Sequence, residues 1–152
     1  GQMGGDLVEA TSTGMIPVDS IVRNSVRDMP DVGVLASRDG KNASVLLWNY
    51  HDVNDTDVAP ADIDQKVNVG ENTERVLITR YRIDEDHSNS YSKWVAMGCP
   101  QNPDEAQLKK LQLAGDLEMS GSPEWMTVSN GILKDRLIVP RQGVVLLKME
   151  LK

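Results

Sequence analysis

At 152 residues the chain has room for one domain with a modest core. A net charge of -7 and a pI near 4.8 set like charge against nucleic acid and anionic membrane, so neither is expected as a partner. Cys99 is the single cysteine, which excludes an internal disulfide and a cysteine-based metal cluster, and no apolar run approaches the ~20 residues of a membrane helix.

Leu7 to Thr11 reads as a short strand, and Ser20 to Asn24 as a helical turn after a loop with Gly14 and Pro17. Val32 to Ser37, the turn Asp39-Gly40-Lys41-Asn42, and Ala43 to Tyr50 together predict a hairpin. In its second arm Val45 and Leu47 share one face while Leu46, Trp48 and Tyr50 share the other. Two apolar faces predict a central strand covered on both sides. Residues 51–65 are acidic and contain Pro60, as a loop would, and the strand pattern resumes at Val67-Asn68-Val69 and over Glu74 to Ile83. There Leu77, Thr79, Tyr81 and Ile83 alternate with Val76, Ile78, Arg80 and Arg82, predicting one buried face and one increasingly polar face.

The period then changes. Tyr91, Trp94 and Val95 stand at helical spacing, with Ser88 or Asn89 as N-cap and Gly98 and Pro100 as stops. A second helix is punctuated by Asn102 as N-cap, Pro103 at its first position, Glu105 as capping partner and Gly115 at its end. Leu108, Leu111 and Ala114 form its apolar stripe. Two short helices cannot bury such stripes alone, so the pair must lie on the sheet or on a missing partner. Strands return at Trp125 to Val128 and Ile132 to Val139, where the intervening Ser129-Asn130-Gly131 predicts a hairpin, and then at Val144 to Met149. Seven or eight strands with turns at these intervals predict an all-β fold: a two-sheet antiparallel sandwich with an inserted helix–loop–helix at about residues 89–115.

Four blocks carry a resemblance. Val34-Leu35-Ala36-Ser37-Arg38-Asp39-Gly40, Leu47-Trp48-Asn49-Tyr50-His51-Asp52, the run from Tyr81 to Tyr91, and Pro140-Arg141-Gln142-Gly143-Val144 resemble the C-terminal region of family 39 glycoside hydrolases, above all the bacterial β-xylosidases. The resemblance implies a (β/α)8 catalytic barrel followed by a sandwich with a helical insertion, and residues 1–152 would be that single accessory domain. Met3-Gly4-Gly5 resembles the point where the chain leaves the barrel, and a segment ahead of the barrel would add a strand to the sandwich. The implied enzyme is a retaining hydrolase with one glutamate as acid/base and another as nucleophile. Neither motif occurs here, so no catalytic residue is assigned to this chain. The charged run Ile132-Leu133-Lys134-Asp135-Arg136-Leu137 and Cys99 depart from the family's pattern.

Each candidate site has a plainer reading beside it. Asp52, Asp55, Asp57, Asp62 and Asp64 lack the spacing, glycine and terminal glutamate of a calcium loop, and read as surface acids. Asp84-Glu85-Asp86 beside His87 mimics an acid/base cluster but better suits the N-terminal dipole of the following helix. His51 and His87 lack metal-ligand spacing and are expected to fix loops by hydrogen bonds. His51 and Asp52 are nevertheless kept as substrate-facing candidates, on the loop that the resemblance brings near the barrel mouth. Trp48 and Trp94 read as core anchors, leaving Trp125 as the tryptophan to consider for sugar stacking. The sequons at Asn42 and Asn54 read as chance. No cofactor and no metal are expected, and the compartment stays open. The expected partners are the barrel of the same polypeptide and possible further copies of the chain, with a xylo-oligosaccharide at most indirectly. The alternative is a carbohydrate-binding module that recognises xylan.

Overall fold

The computed structural model describes residues 3–27, 29–53 and 59–152. In order, the elements are β1 (Asp6–Val8), α1 (Val18–Asn24), β2 (Asp31–Asp39), β3 (Asn42–Tyr50), β4 (Ala61–Asn68), β5 (Arg75–Ile83), α2 (Ser90–Ala96), α3 (Glu105–Gly115), β6 (Glu118–Met119), β7 (Glu124–Thr127), β8 (Ile132–Val139) and β9 (Gly143–Leu151). Seven strands form one antiparallel sheet in the order β1-β2-β3-β9-β5-β6, with β7 also pairing β5, while β4 and β8 form a second sheet of two strands. The expected all-β sandwich with a helical insertion is therefore present, though its two sheets are very unequal.

Alternation decides what each sheet buries. On the large sheet Val45, Leu47, Val76, Ile78, Val145, Leu147, Met149 and Leu151 point inward, where they meet Leu133 and Val139 of the small sheet in one apolar cluster. Ile63, Val67 and Leu137 pack against that cluster from β4 and β8. The acid-rich stretch read as loop to residue 65 is thus a strand from Ala61 onward. Its Asp62, Asp64, Lys66 and Asn68 face solvent while Ala61, Ile63, Gln65 and Val67 turn inward, and Asp62 is neutralised across the pair by both nitrogens that Arg136 presents to it. Asp55 and Asp57 of the same stretch, and the sequon at Asn54, lie outside the described residues.

The buried face of β5 is the one that carries the arginines. Val76 and Ile78 are fully buried, and Arg80 continues their row between the sheets, bonded to Asp135 at 2.9 Å and to Glu124. Burial works against the Arg80 charge, yet the two carboxylates outweigh it and raise its pKa. Asp135 also accepts from Gln65 at 3.0 Å across the β4–β8 pair, and Arg80 gives the charged run 132–137 a partner on the other sheet. Asn130 and Gly131 make the expected left-handed turn, closed by the antiparallel pair Ser129 and Ile132, which exchange both backbone bonds, but the pairing goes no further. Val128 still bonds Glu74 beside β5, whereas Gly131 already accepts from Val69 beside β4. The turn is a corner between sheets.

The opposite, outer face of the large sheet is apolar too. Registered pairing sets Leu35, Leu46, Leu146, Tyr81 and Met119 in one row across five strands, with Gly33, Trp48, Val144 and Ile83 in the next. The expectation that β3 is covered on both sides is met only in part: Ile21 and Val26 stand by Trp48 at its end, while Leu35, Ile83 and Met119 of the same face stay exposed. Helices α2 and α3 pack on each other rather than along this face, and neither buries a residue. Tyr91, Val95, Leu108 and Leu113 remain exposed on the helical pair. Trp94 is half-buried within that pair, against Tyr91 and with its Nε1–H on the Pro100 carbonyl, and Trp48 lies on the outer face; neither belongs to the core cluster. Asn89 caps α2 through the amides of Tyr91 and Ser92. The cap of α3 is Asp104, in a reciprocal capping box with Gln107, rather than Asn102 with Glu105. Both pairs stand three positions apart, but the helix begins at Glu105, so Asp104 is the residue at the N-cap and Gln107 the one at N3.

Candidate cleft at the sandwich end

The expected residues His51 and Asp52 follow directly on β3, at the end of the sandwich where residues 140–143 turn from β8 into β9. Two reciprocal bonds fix this end. Asp52 accepts from the Val26 amide at 2.7 Å and its own amide returns a bond to the Val26 carbonyl at 2.8 Å, clamping the segment after α1 to the end of β3. The Val26 amide is the main cause that holds the Asp52 carboxyl below its ordinary pKa, with the Tyr50 hydroxyl adding to it. Tyr50 is correspondingly raised by the bond to Asp52.

His51 is buried. Its Nδ1 meets the amide and carbonyl of Val53 at 3.2 and 3.3 Å, and its carbonyl accepts from Gln142. His51 thus fixes the loop after β3 by hydrogen bonds, as expected of it, and Asp52, expected as a surface acid, clamps that loop to the Val26 segment.

Above this end, on the outer face, lies a cleft of about 470 Å3 lined by Ile21, Val26, Trp48, Tyr50 and Val144, with Asp31, Asn49 and Gln142 as its polar neighbours. Asp31, missed in the sequence because an isolated acid at a strand start carries no pattern, is its organising residue. It is buried; one oxygen accepts from Trp48 Nε1 and the other from the Ile16 amide, each at 2.7 Å. Trp48 can lie flat here because residue 33 is glycine: a Cβ there would stand 2.0 Å from the ring. Asn49 points to the inner side, its Nδ2 donating to the Val139 carbonyl at 3.0 Å. Its Oδ1 is buried with no partner among the described residues.

Trp125 does not join this site. Its strand pairs the start of β5, in register with Glu150 and Asn42 at the other end of the sheet, roughly 30 Å along β3 from His51 at ~3.4 Å per residue. It is 47% exposed, and the Arg75 guanidinium covers one face of its ring at 4.4 Å. Near that end Asp39 and Glu150 line a second, polar hollow of about 460 Å3 together with Lys148 and Thr79.

The third cluster is the loop after β5. Asp84, buried, accepts from Arg82, from His87 Nδ1 at 2.8 Å and from the amides of Asp86 and His87. Burial pushes its carboxyl up, but His87, the Asp86 amide and Arg82 together hold it below the ordinary value. The expectation that the acids at 84–86 serve the helix dipole is not met, since no acid lies in the first turn of α2. Asp84 instead ties the loop together, its carbonyl receiving the Asn89 side chain that caps the helix. Among the described residues no group of three or more His, Cys, Asp or Glu side chains is placed to hold a metal, and no helix is long and apolar enough to cross a membrane.

These features define a β-sandwich with an inserted helical pair. The profile of Glycosyl hydrolases family 39 matches residues 17–127, and the chain belongs to that family. Similar solved structures include a family 39 enzyme from Xanthomonas axonopodis pv. citri, 18% identical with a TM-score of 0.63 over 77% of this chain and 25% of its own. A monomeric β-xylosidase from Caulobacter crescentus CB15 is 21% identical, with a TM-score of 0.59 over 77% of this chain and 26% of its own. A bacterial orthologue of human α-L-iduronidase is 21% identical, with a TM-score of 0.62 over 80% of this chain and 22% of its own. The chain thus spans about a quarter of the length of the enzymes it matches.

Proposed function

We propose that this chain is the C-terminal accessory sandwich of a retaining glycoside hydrolase that removes terminal β-xylosyl units, and that it supports the catalytic (β/α)8 barrel without taking part in bond cleavage. Retention requires two carboxyls ~5–5.5 Å apart, one of them kept protonated by its surroundings. The observation that carries the reading is the cleft itself: its single acid, Asp31, has both oxygens bonded within the domain. Asp39 and Glu150 share the other hollow, but both are exposed and lie either side of β3. The quarter-length match is in keeping with a chemistry housed in the remaining polypeptide. The xylosyl preference draws on the similarity to the Caulobacter crescentus β-xylosidase.

The purified chain is expected to leave an aryl β-xyloside intact, while the full-length polypeptide hydrolyses it with retention. Turnover by the 152-residue chain refutes the reading. The rival, a xylan-binding module, rests on exposed Trp125 and predicts heat on titration with xylo-oligosaccharides. The cation over one face of that ring argues against it, and calorimetric silence at millimolar ligand excludes it.

A further inference from the structure

We propose that the polar hollow at the Trp125 end of the large sheet is a subsite for one neutral sugar unit, a xylosyl residue at the end of an oligosaccharide. The choice of xylose rests on the function proposed above, while the site rests on the chemistry of the hollow.

Strand register builds the floor. Ser37, Ser44, Lys148 and Thr79 stand abreast across β2, β3, β9 and β5. Asp39, Asn42 and Glu150 form the next row on the same face. The enclosed volume of about 460 Å3 falls within the ~300–1,000 Å3 of small-molecule sites. From Ser44 to Thr79 the floor crosses two strand spacings, about 10 Å, which is room for one ring.

The polar groups here are unsatisfied within the domain. Among the described residues, Ser44, Thr79, Lys148, Asp39, Asn42 and Glu150 make no side-chain hydrogen bond or ion pair. Ser44 lines the hollow while only 7% exposed, and the Ser37 hydroxyl in the same row is buried without a partner. Native folds pair nearly every buried polar group. Two adjacent buried hydroxyls left open beneath unpaired side chains therefore mark a place that is completed from outside. The cleft at the opposite end differs in this respect, because Asp31, Trp48 and Gln142 already bond within the domain.

Mixed charge selects the class of occupant. Lys148, between Ser44 and Thr79, opposes a metal cation, and Asp39 and Glu150 on the rim oppose phosphate or another anion. A sugar hydroxyl both donates and accepts. It can accept from the Lys148 ammonium or the Asn42 amide and donate to a rim carboxylate, so a neutral polyol answers every group present. This subsite is separate from the xylan-binding module weighed above, which depends on the Trp125 ring; here hydrogen bonds hold a single unit.

The test is a titration of the 152-residue chain with xylobiose, followed by nuclear magnetic resonance. The amide signals of Ser44, Thr79 and Lys148 are expected to shift at millimolar sugar. Lys148→Met removes the charge and Thr79→Val removes one hydroxyl. The first is expected to weaken binding by about tenfold and the second severalfold, and both are expected to melt with the parent, as surface substitutions do. Trp125→Ala is expected to leave the titration unchanged, and calcium chloride or inorganic phosphate to leave the three signals in place. The proposal is overturned by the absence of a shift with xylobiose, or by a shift of equal size with either ion. A response lost in Trp125→Ala but kept in both hollow variants also overturns it. Aryl xyloside hydrolysis by the full-length polypeptide is scored separately. Hydrolysis with no shift refutes the subsite alone, and a shift without hydrolysis refutes the enzymatic reading alone.

Discussion

Removing the Arg80 side chain tests how the two sheets are held together at their polar end. In Arg80→Met the guanidinium that lies 2.9 Å from Asp135 is lost, and Asp135, whose side chain is 8% exposed, stays between the sheets. Breaking one partner of a buried pair costs about 3–5 kcal/mol because the other charge is stranded. Asp135 keeps the Gln65 amide at 3.0 Å and the Arg136 backbone N–H at 2.9 Å, so the low end, about 3 kcal/mol, is expected. For a domain of this size that lowers Tm by roughly 6–12 °C. The double variant Arg80→Met with Asp135→Leu removes both charges and is expected to return within about 1 kcal/mol of the parent, since an apolar replacement of a buried pair is often neutral or better. Urea denaturation of the four proteins of the cycle gives the coupling directly. A single variant that loses less than about 1 kcal/mol, or a double variant as unstable as the single, refutes the view that the pair matters through burial of charge.

Acid is expected to destabilise the domain partly through Asp84. Its folded pKa lies below the unfolded value of ~3.9, so its contribution is complete above that value and lost as pH falls through the lower folded one; urea midpoints between pH 6 and pH 3 should fall less steeply in Asp84→Asn, and an unchanged slope counts against the assignment. Gly33→Ala drives a Cβ to within 2.0 Å of Trp48, which is expected to cost about 1–3 kcal/mol and to shift Trp48 emission; a neutral substitution means the ring is not seated over residue 33. Asp104→Ala removes the side-chain half of the capping box, and a loss of about 0.5–2 kcal/mol with reduced helix signal is expected, whereas unchanged circular dichroism would show α3 held by other contacts.

The strands β2, β3, β5 and β9 were legible because each is a run rich in Val, Leu and Ile bounded by turn residues. β4 was not, because its acids interrupt such a run, and only the position of Arg136 across the pair shows why Asp62 tolerates a strand. The Asn130-Gly131 turn was legible as a turn, while the change of sheet around it was not, since local geometry does not state which neighbour each arm will find. At the candidate site, His51 and Asp52 sit together because they are adjacent in the chain. Their distance from Trp125 follows from β5 pairing with both β9 and β7, a long-range choice that no local pattern carries. The two-faced apolar character of β3 was readable in Leu46 and Trp48; that Ile21 and Val26 would meet only one end of that side was not.

β9, made last among these strands, lies at the middle of the large sheet between β3 and β5. Until Leu151 has left the ribosomal tunnel, the β2–β3 hairpin and β5 with its short neighbours have no strand to join them. The nascent domain therefore waits as separate pieces with their aliphatic edges open, and closes in one late event that depends on contacts far apart along the chain. A stop codon at Gly143 would remove the central strand of the large sheet.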